Sequence, residues 1–254
     1  MSDGWRVLGA RATGSSHVKS GLPCQDFWAA AHCPGDVLVV AVADGAGSAS
    51  HSQDGARLAA ARAVGAIFDR TLLPRTGGVH AMLEDAFTCA REELEHHAAQ
   101  TGLRLRDLAA TLTVVIAMPD CLGVAMTGDG LVAALEPDGA LLARTQPQRG
   151  EYANETHFLT GPGGGAPGLL EVYPAAAGFA VLTDGLLPVA SDMSSGTPHP
   201  GFFRPFFEVL RAGPVTPVTT AHLAEFLESP RLRERVDDDL TLVVAINPLM
   251  PAPS

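Results

Sequence analysis

Four short acidic motifs hold the residues of this chain best suited to chemistry: CQD at 24–26, VADGAG at 42–47, LTDG at 182–185 and DDDLT at 237–241. In three of them the aspartate adjoins a strand-like apolar run. VLVVAVAD ends on Asp44, FAVLTD ends on Asp184, and LTLVVAI follows Asp238 and Asp239. In CQDFW, Asp26 opens a further strand. Carboxylates at strand ends are surface groups unless they converge, and if they converge they repel. Two unit charges about 4 Å apart cost about 4 kcal/mol at an effective dielectric of about 20. A divalent cation removes that cost. Hard oxygen donors with no Cys/His cluster select Mg²⁺ or Mn²⁺ rather than zinc.

The elements that must position these aspartates follow from the apolar pattern. Residues 5–13 and 27–33 read as strands flanking a polar turn, GSSHVKSGLPCQD, and 37–43 as a buried strand. ADGAGSASHSQDG breaks the pattern. A helix follows over 53–72, with Ser52 or Asp54 as its cap and Ala56, Ala60, Val64, Ile67 and Phe68 on one face. A second helix fits 79–100. Strands fit 111–118, 122–127, 131–136 and 140–144, with Asp138-Gly139 as a hairpin turn between exposed-looking strands. Residues 145–177, which include GPGGGAPG, read as a functional flap or long loop. A strand at 179–183, helices at 202–211 and 218–228 and a last strand at 240–246 complete the chain, before a frayed tail at 248–254. Strands paired through short turns, with two long helices between strand sets, predict an α+β fold. Its two mostly antiparallel sheets would pack face to face as an α-β-β-α sandwich with helices outside.

Composition bounds the rest. The 254 residues fit one domain over 1–254, and 46% hydrophobic with 18% charged residues suits a substantial core. The net charge of −11 argues against nucleic-acid binding, which needs a basic face. Apolar runs of about ten residues fall short of the ~20 that span a membrane, and MSDGWRVLGAR has no apolar core of a secretory signal. Cys24, Cys33, Cys89 and Cys121 form no CxxC and read as reduced thiols of a cytoplasmic protein.

The ordered set of a strand-flanked Asp26, VADGAG, a TLTVVIA strand, TGDG, LTDG and DDDLT resembles the metal-dependent serine/threonine phosphatases of the protein phosphatase 2C (PP2C, PPM) family. The resemblance covers about residues 5–247. The CQD motif and the GEYANET segment at 150–156 are similar to a bacterial subgroup. It implies hydrolysis of phosphoserine and phosphothreonine on proteins by a metal-bridging hydroxide, with two Mg²⁺ or Mn²⁺ ions and a third, weaker one. Asp26, Asp44 and Asp184 would be metal ligands, with Asp44 bridging and Gly45 offering its carbonyl. DDDLT aligns Asp238 with the family's metal aspartate and Asp239 with its asparagine; an insertion of one residue reverses the two. Asp129 in TGDG would serve the third ion. Asn154, Glu155 and Thr156 match the family's NET segment and would order the flap.

Two departures stand out. Many relatives carry an arginine five residues before the first aspartate, where this chain has Gly21, so His17 or Lys19 would contact the phosphate. Gln25 replaces a glutamate. Both departures keep open a pseudophosphatase or phosphoprotein-binding module, and a phosphatase of a small phosphorylated metabolite is a further alternative. The family also implies a phosphorylated protein as substrate and a separately encoded Ser/Thr kinase as counterpart. His96 and His97 read as surface residues, His51 as a loop histidine, Cys24 as buried packing, and at least one of Asp237–Asp239 as merely solvated.

Overall fold

The strand-like runs pair as antiparallel ladders, and each ladder has an apolar face covered by helices. The computed structural model describes residues 4–72, 78–145 and 157–250. The chain begins β1 (Arg6–Ala12), α1 (Ser15–Ser20), β2 (Phe27–Cys33), β3 (Val37–Ala43), α2 (Ser52–Thr71) and α3 (Val79–Thr101). A 3-10 turn at Leu105–Leu108 leads into β4 (Leu112–Ala117), β5 (Cys121–Thr127), β6 (Leu131–Leu135) and β7 (Leu141–Ala143). Next come β8 (Leu169–Pro174), β9 (Gly178–Leu182), a 3-10 turn at Asp184–Leu186 and α4 (Leu187–Ala190). The chain closes with α5 (Pro200–Ala212), α6 (Pro217–Leu227), α7 (Pro230–Arg233) and β10 (Leu240–Ile246).

These elements divide into two compact units. One comprises Met1–Cys24, Gly130–Gln146 and Ala175–Ser254; the other comprises Gln25–Asp129 and Pro147–Pro174. The first holds a five-stranded sheet in the order β1-β10-β9-β6-β7, the second a five-stranded sheet in the order β2-β3-β4-β5-β8. All the pairings are antiparallel. The expected α+β class with two antiparallel sheets and helices is therefore met.

Each unit has its own core. In the second, β3 (VLVVAVA) and β4 (LTVVIA) are buried along their whole length, as suits β-branched residues in central strands. Helix α2 meets β2, β3 and α3 with an alanine stripe, Ala56, Ala59, Ala60 and Ala63, which lets backbones approach closely. Leu83, Phe87, Ala90 and Leu94 of α3 recur at helical spacing and are buried. In the first unit, Phe203, Phe207 and Leu210 of α5 face a core formed by Leu182, Leu242 and Val244 of the sheet.

Several local expectations need correction. The polar turn after β1 folds in part as α1, which Gly21 closes in a left-handed conformation at φ 69°. His51, not Ser52 or Asp54, occupies the cap of α2, and no side chain caps it; Ser52 is buried as the first helical residue. Phe68 is exposed rather than inward, because the alanine stripe already fills the face against the sheet. The strands around Asp138-Gly139 are not both exposed: β6 is buried, while Gly139 at φ 86° makes the turn. Cys24 is half-buried rather than buried, its Sγ donating to the Ala12 carbonyl at 3.7 Å.

The long loop expected over 145–177 contains β8, an edge strand on β5. Its half-exposed residues and terminal Pro174 hide the usual signal of a buried strand. The short α7 and the 3-10 turn at Leu105–Leu108 were also unforeseen. The GEYANET segment, with Asn154, Glu155 and Thr156, lies outside the described residues.

A Cβ added at Gly55 would lie 2.1 Å from the Leu108 carbonyl oxygen. Gly55 is thus fixed by the close seat of α2 on the turn before β4. Overpacking of this kind costs about 1–3 kcal/mol, so Gly55→Ala is expected to lower stability by that amount in urea unfolding. An unchanged unfolding midpoint would contradict this seat.

Candidate active site

In the second unit, the β2–β3 ladder sets two carboxylates side by side. Phe27 pairs with Ala43, so Asp26 and Asp44 are the next residues on adjacent strand ends. Asp26 is fully buried and Asp44 half-buried. Gly45 has no room for a side chain, since a Cβ there would lie 2.8 Å from the carbonyl oxygens of both Gln25 and Ser52. Only glycine permits this approach.

Thr111 holds the end of β3. Its Oγ1 accepts the Asp44 N–H at 2.9 Å and its own N–H donates to the Asp44 carbonyl at 2.8 Å. Gly45 then bridges Ala110, and the Ala46 N–H donates to Ala109 at 2.9 Å. Thr111 also meets the TGDG turn. Gly128, at φ 127°, packs so closely that a Cβ there would lie 2.6 Å from the Thr111 side chain, and half-buried Asp129 comes next. Thr111 therefore ties the Asp44 strand end to the turn that bears Asp129.

The VADGAG loop has a further anchor. The His51 N–H donates to the Asp107 carbonyl at 2.8 Å. The Asp107 carboxylate takes two hydrogen bonds from the Arg104 guanidinium, at 3.0 and 2.8 Å, and one from its amide at 3.1 Å. The side-chain bond from Arg104 is the main cause that holds the Asp107 carboxyl below its usual range.

In the first unit the same logic recurs on β9 and β10. Leu242 pairs with Leu182, the Thr183 N–H donates to Thr241 at 3.3 Å, and the Thr241 N–H donates to Thr183 Oγ1 at 3.0 Å. A Cβ on Gly185 would lie 2.2 Å from the Asp239 carbonyl oxygen. Asp184 and the Asp237–Asp239 run thus share one sheet end.

The three aspartates of that run differ sharply. Asp237 and Asp238 are exposed, whereas Asp239 is buried. The Asp239 carboxylate accepts the Gly14 N–H at Oδ1, 2.7 Å, and meets His17 Nδ1 at Oδ2, 2.9 Å. The Asp237 carbonyl accepts both the amide and the hydroxyl of Ser16, at 3.0 and 2.7 Å. Gly14 lies so close that a Cβ would be 2.3 Å from the Asp238 carbonyl carbon. These bonds dock α1 on the start of β10, place His17 half-buried against Asp239 and leave Lys19 exposed.

Thr111, Thr183 and Gly14 were missed from sequence. The threonine that adjoins each motif, in TLT, LTDG and DDDLT, is the signal that was available. His51 is indeed an exposed loop residue, its ring at 2.9 Å from the Ser50 hydroxyl, and His96 an exposed partner of Gln100. All four cysteines are free thiols.

Among the described residues, no group of three or more His, Cys, Asp or Glu side chains gathers into a metal cage. The donors available suit a different kind of site. They are carboxylates and a glycine carbonyl, all hard oxygens, and Mg²⁺-type ions keep several waters as ligands. The fully buried Asp26 carboxylate calls for a compensating positive charge or hydrogen bonds. The residues present therefore fit a hydrated divalent cation, and the described residues offer no thiolate–imidazole set for zinc.

Strand-end oxygen donors on an α+β scaffold of two antiparallel sheets narrow the class to proteins suited to a hydrated divalent cation. Comparison with known proteins resolves it further. The family model for protein phosphatase 2C matches residues 13–228. Serine/threonine-protein phosphatase 3 of Escherichia coli (strain K12) is 35% identical over 253 residues, which cover 95% of this chain and 98% of the relative. Among solved structures, the catalytic domain of the serine/threonine phosphatase PstP in complex with two manganese ions superposes with a TM-score of 0.65 at 22% identity, covering 95% of this chain and 97% of that one. Stp1 of Staphylococcus aureus superposes with a TM-score of 0.58 at 12% identity, covering 94% of each chain. The chain belongs to the protein phosphatase 2C family, and with it to the serine/threonine protein phosphatases.

Two outcomes follow. Asp239→Ala removes a buried carboxylate with two partners and is expected to cost about 2–3 kcal/mol, while exposed Asp238→Ala costs about 1 kcal/mol or less; thermal melts of both variants check this order. The Asp107 carboxyl, with its lowered folded pKa, contributes stability that is complete above the unfolded value of about 3.9 and is lost as pH falls through the folded value. Asp107→Asn should therefore flatten the acid limb of stability against pH below about 4, with no change at neutral pH in the slope. An unaltered acid limb would argue against the Arg104–Asp107 contact.

Proposed function

We propose that this chain hydrolyses phosphoserine and phosphothreonine on protein substrates, using two Mg²⁺ or Mn²⁺ ions. The observation that carries the reading is the repeated device of the site. A buried threonine hydroxyl fixes a strand end, an aspartate follows, and a glycine without room for a side chain stands next to that aspartate. It supports the family's metal centre in both halves of the ligand set.

On this reading Asp26, Asp44, the Gly45 carbonyl, Asp184 and Asp238 hold the two ions, and Asp129 serves a weaker third. Asp238, exposed beside the buried Asp239, suits a ligand better than its neighbour: its Oδ1 accepts the Asp239 N–H at 2.8 Å, whereas both carboxylate oxygens of Asp239 engage Gly14 and His17. When bound, divalent ions supply a deprotonated water as nucleophile and neutralise the phosphoryl oxygens.

The rim is the work of α1. Asp239 holds His17 through Nδ1, so Nε2 is the nitrogen left for the substrate phosphate. Lys19, exposed at the end of α1, adds a point charge for the same group. Gly21, which stands where many relatives carry an arginine, instead ends the helix in a left-handed turn. Phosphate contact thus passes from a residue after the helix to residues within it. A kinase of opposite activity, encoded separately, is the functional counterpart of such an enzyme. No described helix is long and apolar enough to cross a membrane.

The test is Mn²⁺-dependent release of phosphate from a phosphothreonine peptide, run beside small phosphorylated metabolites. Asp44→Ala and Asp184→Ala should each lower kcat/KM by about a thousandfold or more, about 4 kcal/mol in the barrier, with melting temperature little changed. Near wild-type turnover in either variant would overturn the assignment. Calorimetric metal binding without turnover on any phosphosubstrate would instead identify a binding module, and faster turnover of the metabolites a metabolite phosphatase.

A further inference from the structure

Helix α5 carries more aromatic surface than its core needs. Phe203, Phe207 and Leu210 fill the core stripe. Phe202 and Phe206, one turn apart on a second stripe, stay half-buried and meet Phe226 of α6. The three rings form a closed set, with centroids 5.6 Å apart for Phe202–Phe206, 5.5 Å for Phe206–Phe226 and 6.1 Å for Phe202–Phe226. Tilted and edge-to-face arrangements of this kind are the preferred ones for aromatic pairs.

Beside these rings is a cavity of about 440 Å³. The rings, Pro205 and Leu232 give it apolar walls, and Arg231 and Arg235 also line it. Its volume falls within the range of about 300–1,000 Å³ usual for small-molecule sites. Pro205 sits inside α5. Lacking an N–H, it cannot donate to the Gly201 carbonyl one turn earlier, and Gly201 lines the same cavity.

Two arginines against an apolar cavity are notable in a chain of net charge −11. Core packing does not call for them, since both are exposed. They complement an anion, and a guanidinium pairs best with a carboxylate's two oxygens.

We propose that the cavity between α4, α5, α6 and α7 binds a small amphipathic carboxylate, with its apolar body against Phe202, Phe206 and Phe226 and its head group at Arg231 and Arg235. This site is built from residues outside the proposed metal centre.

Isothermal titration calorimetry of the full chain with dodecanoate, and with dodecyltrimethylammonium of equal chain length, both below micellar concentrations, tests it. One dodecanoate per chain is expected, bound at least tenfold tighter than the cation. Arg231→Glu/Arg235→Glu should remove that preference, and Phe206→Ser should weaken dodecanoate at least fivefold. The arginine variant alters only exposed side chains, so the test stands even if Phe206→Ser fails to fold. Phosphatase activity and melting temperature of the arginine variant should match the wild type. No saturable binding, equal binding of the two amphiphiles, or dodecanoate binding unmoved by the arginine reversal would overturn the proposal. So would a dimer in size-exclusion chromatography that the arginine reversal dissociates, since a second copy would then cover this face.

Discussion

Repulsion between neighbouring carboxylates is the constraint on which this structure turns. The β2–β3 ladder sets Asp26 next to Asp44, and the β9–β10 pair sets Asp184 on the sheet end that bears Asp238 and Asp239. A relaxed chain would splay such groups into water. Here each strand end is pinned instead: Thr111 on Asp44, Thr183 on Thr241, and the Gly14 amide with His17 on Asp239. The threonine bonds fix the backbone from which Asp44 and Asp184 spring, and the bonds to Asp239 fix its carboxylate itself.

The glycines belong to the same device. Gly14, Gly45 and Gly185 all stand where another backbone passes within 3 Å of an added Cβ. Their value is contact distance rather than flexibility. Each brings a main-chain segment against an aspartate motif, and a methyl group at any of them would push that segment away.

The entry helix α1 shows how a short polar segment is held by a distant strand end. Asp239 spends both oxygens on the loop and on His17, which makes α1 a docked element rather than a passing turn. Gly21 is committed to ending that helix in a left-handed turn, and His17 and Lys19 are the basic residues within it. The buried Asp239 thus anchors α1, while its neighbour Asp238 stays exposed, with Oδ1 accepting the Asp239 N–H.

Much of this was legible in the residues alone. Period and β-branching marked β3, β4 and β10, and the apolar faces of α2 and α3, because local sterics and burial act over a few residues. Asp44 and Asp184 could be picked out as well, since each ends an apolar strand run and precedes Gly within an ordered set of acidic motifs. What stayed hidden depends on neighbours far along the chain. The edge strand β8 is held by β5, about 45 residues earlier in sequence, and shows little burial of its own. Short α1 is stabilised by contacts with Asp237 and Asp239, more than two hundred residues away, which local pattern cannot carry. The sequence by itself determined which carboxylates adjoin strands and which strands bear them, because both are read from neighbouring residues. Only the tertiary structure decided which of Asp238 and Asp239 is buried, and that His17 rather than solvent would be its partner, because burial and hydrogen bonding are settled by what packs alongside.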